Sequence, residues 1–140
     1  MGVFVELAEA GGDDRDAVIA LWQEAGLTRP WNDPAADFDR AAQGAASAIL
    51  LLRDGTALLG TAMVGDDGHR GWVYYLAVAE SARGQGHGRA LMAAAEAWLR
   101  ARGCPKLQLM VREGNDAAIG FYRALGLEVQ PVVTLGRFLH

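Results

Sequence analysis

The chain has one cysteine, four prolines and no excess of basic charge in 140 residues. The lone thiol, Cys104, allows neither an internal disulfide nor a cysteine metal cluster, and no metal site is expected. Lysine and arginine number 13 against 17 aspartates and glutamates, a net charge of −4. A general nucleic-acid binder would show a basic surplus, so no nucleic-acid partner is expected. No stretch approaches the roughly 18 apolar residues of a membrane span. Residues 1–6 lack the basic start of a signal peptide, and Glu6 stands where a myristoylation signal has Ser or Thr. No membrane partner is expected either. A cytoplasmic enzyme or binding domain fits, of a size for one domain over residues 1–140.

Glycine is plentiful, with 18 residues, and its densest run follows an apolar stretch. Trp72-Val73-Tyr74-Tyr75-Leu76-Ala77-Val78 reads as a strand, followed by a polar turn over residues 79–82. Next comes Arg83-Gly84-Gln85-Gly86-His87-Gly88, and then a helix that starts near Arg89. A strand that empties into a glycine-rich loop at a helix start suits an anion. The first amides of a helix have no intrahelical partner, and the dipole places about half a positive charge there.

Around this stretch the pattern gives further elements. Residues 3–7 read as a first strand. Asp13 or Asp14 caps a helix whose stripe is Val18, Leu21, Trp22 and Ala25, ended by Gly26. Asp33-Pro34 opens a second helix with Phe38, Ala41, Ala42 and Ala45 on its buried face. Trp31, in the loop between these helices, either plugs the core or walls a binding site. Asp54-Gly55 joins two apolar runs as a hairpin. Asp66-Asp67-Gly68-His69 turns the chain into the 72–78 strand. A third helix reaches Arg102, with Leu91, Ala95, Trp98 and Leu99 on one face. Residues 106–111 are a fifth strand, parallel to the fourth because a helix separates them. Asn115 or Asp116 caps a fourth helix with Ala118, Phe121, Tyr122 and Leu125 as its stripe. Residues 128–139 supply one or two final strands.

The loop fails the better-known phosphate motifs. In a dinucleotide fingerprint counted from Gly84 the third glycine is Arg89; counted from Gly86 it is Leu91. No Gly-Lys-Ser/Thr ending makes it a Walker A loop. Alone, the glycines could simply make a tight turn. Yet Arg83-x-x-Gly86-x-Gly88, preceded by Leu76-x-Val78 and followed by an amphipathic helix, resembles the acetyl-coenzyme A motif of the GCN5-related N-acetyltransferase (GNAT) family. Asn115, Tyr122 and Leu125-Gly126-Leu127 resemble that family's second hallmark, and the order of elements is similar over essentially the whole chain. Residues 29–34, 67–71 and 101–106 look like the YpeA-like subgroup.

The resemblance implies an α/β (α+β) fold, with a central mixed sheet of six to seven strands flanked by four helices and the fourth and fifth strands splayed. It implies acetyl-CoA as co-substrate and a primary amine, small molecule or protein, as acceptor. Arg83, Gly84, Gln85, Gly86, His87 and Gly88 would hold the pyrophosphate by their backbone. Leu76, Ala77 and Val78 would hold the pantetheine arm as an added strand, one amide polarising the thioester carbonyl. Asn115 would cap its helix, contact the cofactor arm, or both. Tyr122 matches the acid that protonates the leaving thiolate; a phenol of pKa about 10 is close enough to a thiol for that transfer.

The resemblance departs at the general base: several members carry a glutamate on the fourth or fifth strand, whereas here Met110 occupies the fifth-strand position and the fourth strand offers Tyr74 and Tyr75. A water chain held by Asp67, His69 or Glu113 would have to serve instead. Trp31, Asn32, Asp67 and His69 are the candidates for the acceptor side. A catalytically silent acyl-CoA sensor or interaction module is the alternative that Met110 motivates, and a toxin-like enzyme acting on aminoacyl-tRNA fits the acidic balance worse. Monomer and homodimer both remain open.

Overall fold

The computed structural model describes residues 5–140, so Val3 and Phe4 of the expected first strand lie outside the described residues. Two compact units emerge, Met1–Met110 and Val111–His140.

The first unit carries β1 (Val5–Glu9), a single 3-10 turn at Gly12–Asp14, α1 (Arg15–Glu24), α2 (Pro34–Gln43), β2 (Ser47–Asp54), β3 (Ala57–Asp66) and β4 (Gly71–Val78). A second 3-10 turn, Glu80–Ala82, leads to α3 (His87–Ala101) and β5 (Leu107–Gln108). The sheet runs β1-β2-β3-β4-β5, antiparallel as far as β4 and parallel between β4 and β5. That parallel step is the crossover expected where a helix joins two strands.

Both faces of the sheet are buried, which is why the middle strands read as continuous apolar runs. Val18, Leu21 and Trp22 of α1 and Phe38 and Ala41 of α2 pack with Ile49, Leu51 and Ala77. The alternate β2 residues Ala48, Leu50 and Leu52, also buried, point to the other face. There α3 lies almost flush: a Cβ on Gly60 would stand 2.9 Å from Leu91 Cδ1, and one on Gly71 2.5 Å from Leu99 Cδ1. Arg15 ties α1 to α2 with two bonds to Asp39, at 2.8 and 3.0 Å, and holds that carboxyl below the usual range.

In the second unit, α4 (Asp116–Ala124) is the one regular element among the described residues. Phe121 and Tyr122 meet edge to face there, with ring centroids 5.1 Å apart.

Several expectations need correction. The sheet has five strands, not six to seven. Residues 128–139 form no strand, and Val129, Val132, Val133, Leu135, Phe138 and Leu139 are exposed. Their residue types favour a strand, but a strand exists only where a partner takes its amides. The fifth strand is likewise two residues long rather than spanning 106–111, because its ladder with β4 ends at Gln108. α2 stops at Gln43, so Ala45 lies beyond it and is exposed. Asp14 precedes α1 but its side chain makes no cap; it accepts from Gly11 N–H and Arg53 instead.

Candidate active site

β4 changes character halfway along. Gly71 and Trp72 pair with Leu107 and Gln108 of β5, and the ladder then stops. From residue 73 to residue 78 no strand pairs with β4 on that side among the described residues, and this break in the ladder is what the expected splay requires.

The strand is also bulged: Met63 pairs with Tyr74 but Thr61 with Ala77, so Tyr75 and Leu76 together oppose Ala62. Tyr75 has φ +52°, the one non-glycine positive φ among the described residues. Such a backbone costs about 1–3 kcal/mol and persists only when surrounding contacts impose it.

Those contacts are specific. The Tyr75 ring stacks on Trp22 at a centroid distance of 3.9 Å and 12° between planes. Its hydroxyl donates to Asp37 Oδ2 at 2.7 Å. Its carbonyl accepts from Thr61 Oγ1 at 3.0 Å, and Thr61 Oγ1 in turn accepts from Trp22 Nε1 at 3.1 Å. Burial first, then the Asp37 carboxylate, raises the Tyr75 pKa far above the ordinary phenol value.

Past the bulge, Ala79 N–H donates to Leu59 O of β3 at 2.8 Å. By the two-residue alternation of an antiparallel ladder, Ala77 also bonds toward β3. Leu76 and Val78 therefore turn their amides toward the open edge. The Val78 carbonyl points there too, accepting from Arg83 Nε at 3.3 Å.

The loop and α3 continue the same path. Gly86, at φ +84°, is the N-cap of α3, and no side chain caps the helix. Ala90 N–H makes the first intrahelical bond, to Gly86 O, so the amides of His87, Gly88 and Arg89 lie ahead of it without a helical acceptor. No acidic residue stands in the first turn, while Arg83 and Arg89 are exposed cations beside it. Gly84 also has positive φ, and a Cβ on either glycine would meet nothing within 4 Å. Backbone conformation, not crowding, calls for glycine at these two positions.

Asp67 organises the turn before β4. It accepts from the amides of His69 and Arg70 at 2.8 and 2.7 Å and from Trp72 Nε1 at 2.9 Å. Those bonds, the Arg70 amide first, hold its carboxyl below the usual range. His69 is exposed at the tip of the same turn. Tyr74, exposed beside Trp72, has its phenol pKa raised by burial and by the Asp67 charge. Trp31 is 51% exposed and so does not plug the core; Asn32, exposed beside it, donates its amide to Arg29 O at 3.0 Å. Met110 is exposed as well.

In the second unit, Asn115 caps α4: its Oδ1 accepts from Ala118 N–H at 3.2 Å. Its side-chain NH2 is not used by that bond. Tyr122 lies on α4, half-buried, with its phenol pKa raised by burial. Glu113 is exposed in the turn ahead of the helix.

Two features escaped the sequence reading. Thr61 looked like one polar residue in an apolar run, and Asp37 like one acid in the first turn of α2. A buried hydroxyl needs partners, and that need was the available signal for Thr61. Nothing in the local pattern pointed to Tyr75 as the residue that joins them. Among the described residues no three His, Cys, Asp or Glu side chains gather as a metal group, and no helix is long and apolar enough to cross a membrane.

The family model described as acetyltransferase (GNAT) family matches residues 16–127. An acetyltransferase of Yersinia pestis is 46% identical over 127 residues, which is 91% of this chain and 90% of that protein. The ribosomal-protein-S18-alanine N-acetyltransferase of Escherichia coli superposes with a TM-score of 0.75 at 27% identity, over 88% of this chain and 77% of that one. An aminoglycoside N-acetyltransferase, AAC(6')-Iy, solved in complex with CoA, superposes with a TM-score of 0.85 at 18% identity, over 100% of this chain and 98% of that one. A family model that matches residues 16–127 and a 46% identical acetyltransferase aligned over 91% of the chain show that this protein belongs to the GNAT family and is an acetyltransferase.

Proposed function

We propose that this enzyme moves the acetyl group of acetyl-CoA directly to a primary amine within a ternary complex. The observation that carries this reading is the continuous path from the open edge of β4 into the uncapped start of α3. The amides of His87, Gly88 and Arg89, with the backbone of Arg83, Gly84, Gln85 and Gly86, take the pyrophosphate. The pantetheine arm completes the sheet along Leu76, Ala77 and Val78. The outward amides of Leu76 and Val78 are the oxyanion donors for the thioester carbonyl.

The amine, as its free base, attacks the carbonyl carbon, the C–S bond breaks, Tyr122 gives its proton to the departing sulfur, and the proton shed by the nitrogen passes through water to restore the phenol. Burial supports this role, because it keeps the phenol protonated up to and beyond its ordinary pKa. Asn115 keeps its capping bond and offers its NH2 to the cofactor arm. Trp31, Asn32, Asp67 and His69 form the acceptor side. The low pKa of Asp67 makes it a poor proton acceptor and favours an electrostatic role. The family match spans both compact units, which supports one catalytic domain over residues 1–140. The single thiol of Cys104 suits a reducing compartment, and we place the enzyme in the cytoplasm.

The test is incubation with labelled acetyl-CoA and a panel of amines, covering polyamines, aminoglycosides and peptide N-termini, with thiol release as the readout. Release that depends on one amine class supports the reading and names the acceptor. Tight acetyl-CoA binding without release on any amine replaces it with the silent acyl-CoA module.

A further inference from the structure

We propose that Thr61, Trp22 and Asp37 are positioning residues that act through Tyr75 to decide which β4 amides face the thioester. The inference rests on the reading of residues 76–78 given above and adds what sets their orientation.

In a regular strand the amides alternate between the two neighbours, so a shift of one residue exchanges them all. Here the bulge at Tyr75 and Leu76 makes that one-residue shift. Val73 pairs with Val64, whereas Ala77, four residues on, packs with α1 and α2. Without the extra residue, Ala77 would turn its amide outward and Leu76 and Val78 would turn theirs into β3. The two donors proposed for the thioester exist because the strand is held one residue out of phase.

What holds it is a closed ring of contacts. Thr61 is fully buried, the one polar residue in the buried set of the described chain. Its hydroxyl receives from Trp22 Nε1 and gives to the Tyr75 carbonyl, so one oxygen replaces the ladder bond that the bulge forfeits. Trp22 also supplies the plane on which the Tyr75 ring stacks. Asp37 takes the far end of the same side chain through its phenol. Backbone, ring and hydroxyl of Tyr75 are each fixed by a different element: β3, α1 and α2.

Valine at position 61 keeps the shape and loses the hydroxyl. The Tyr75 carbonyl and the Trp22 N–H are then left without their partner, and a regular ladder becomes the better alternative.

The experiment is isotope-edited infrared spectroscopy of acetyl-CoA labelled with carbon-13 at the thioester carbonyl, bound to the full chain, with Kd measured by calorimetry. It needs no acceptor. A hydrogen bond to the carbonyl lowers its stretching frequency. Wild type and Thr61→Ser are expected to show the lowered frequency; Thr61→Val is expected to lose it, with Kd within about threefold of wild type because the pyrophosphate grip is intact. Tyr75→Phe, which keeps the ring and drops the bond to Asp37, is expected to lose part of it. If Thr61→Val does not fold, Tyr75→Phe decides.

A full shift retained in the variant that decides overturns the inference and leaves the β4 reading in place. Equal loss of acetyl-CoA and CoA binding also overturns it, by showing a general structural role. Absence of any shift in the wild type removes the β4 reading itself.

Discussion

Helices α2 and α3 meet the same difficulty at their starts and resolve it differently. Each leaves its first amides without an intrahelical acceptor. In α2, Asp33 bends its carboxylate back to Ala36 N–H at 3.1 Å, Pro34 removes one donor altogether, and Asp37 adds a negative charge to the first turn. In α3, a glycine stands at the cap, no acid follows, and the cations nearby are of the wrong sign to help the helix. The first helix end is complete within the chain. The second leaves its amides to water or to an anion from outside, so a local stability device is missing where the ligand is proposed to bind.

The largest expected effect sharpens the contrast by separating grip from chemistry. Tyr122→Phe removes the proposed acid and leaves every residue of the proposed pyrophosphate grip unchanged, so kcat should fall by about 100-fold or more while Kd for acetyl-CoA stays put. Steady-state rates beside calorimetry check this.

Gly86→Asp breaks the contrast outright by setting a carboxylate beside the first amides of α3. Aspartate tolerates a left-handed backbone better than most residues. The variant should fold yet bind acetyl-CoA about 10- to 100-fold more weakly, as charge-assisted bonds of about 1.5–3 kcal/mol are lost. Calorimetry on the folded variant reads it.

The reverse experiment is Asp33→Ala. It should cost about 1 kcal/mol of stability, seen as a lower thermal midpoint, and leave acetyl-CoA affinity unchanged.

The smallest effect is one of pH. Tyr75 has its pKa raised in the folded state, so its contribution is complete below the unfolded value of about 10 and is lost as pH climbs past it. The thermal midpoint should decline from about pH 10 upward, continuing as far as the raised folded-state pKa, and Tyr75→Phe should flatten that decline.

Much of this was legible in the sequence, for local reasons. Helix ends announce themselves by side chains that reach a few residues, as Asp33-Pro34 and Asn115 do. The 72–78 strand and the loop after it follow from apolar alternation and glycine. The strands that failed, residues 128–139 and most of 106–111, depended on a partner ladder, which no local pattern guarantees. The bulge was hidden for a similar reason. It follows from a tryptophan on α1, a threonine on β3 and an aspartate on α2 converging on one tyrosine, 14 to 53 residues away along the chain. A family motif pointed to the candidate site, but the residues proposed to hold its backbone in phase lie outside that motif.

Gly60 and Gly71 carry a last implication. Each lacks a methyl group where Leu91 or Leu99 presses in, and these leucines sit near opposite ends of α3. The helix is thereby levelled on the sheet at two places, like a beam resting on two matched shims. A side chain at Gly60 would press on the Ala77 carbonyl of β4 and on Leu91 at once, and so alter the span between the leading amides of α3 and the edge of β4. An enzyme that must seat both ends of one long substrate depends on that span, and here two absent side chains determine it.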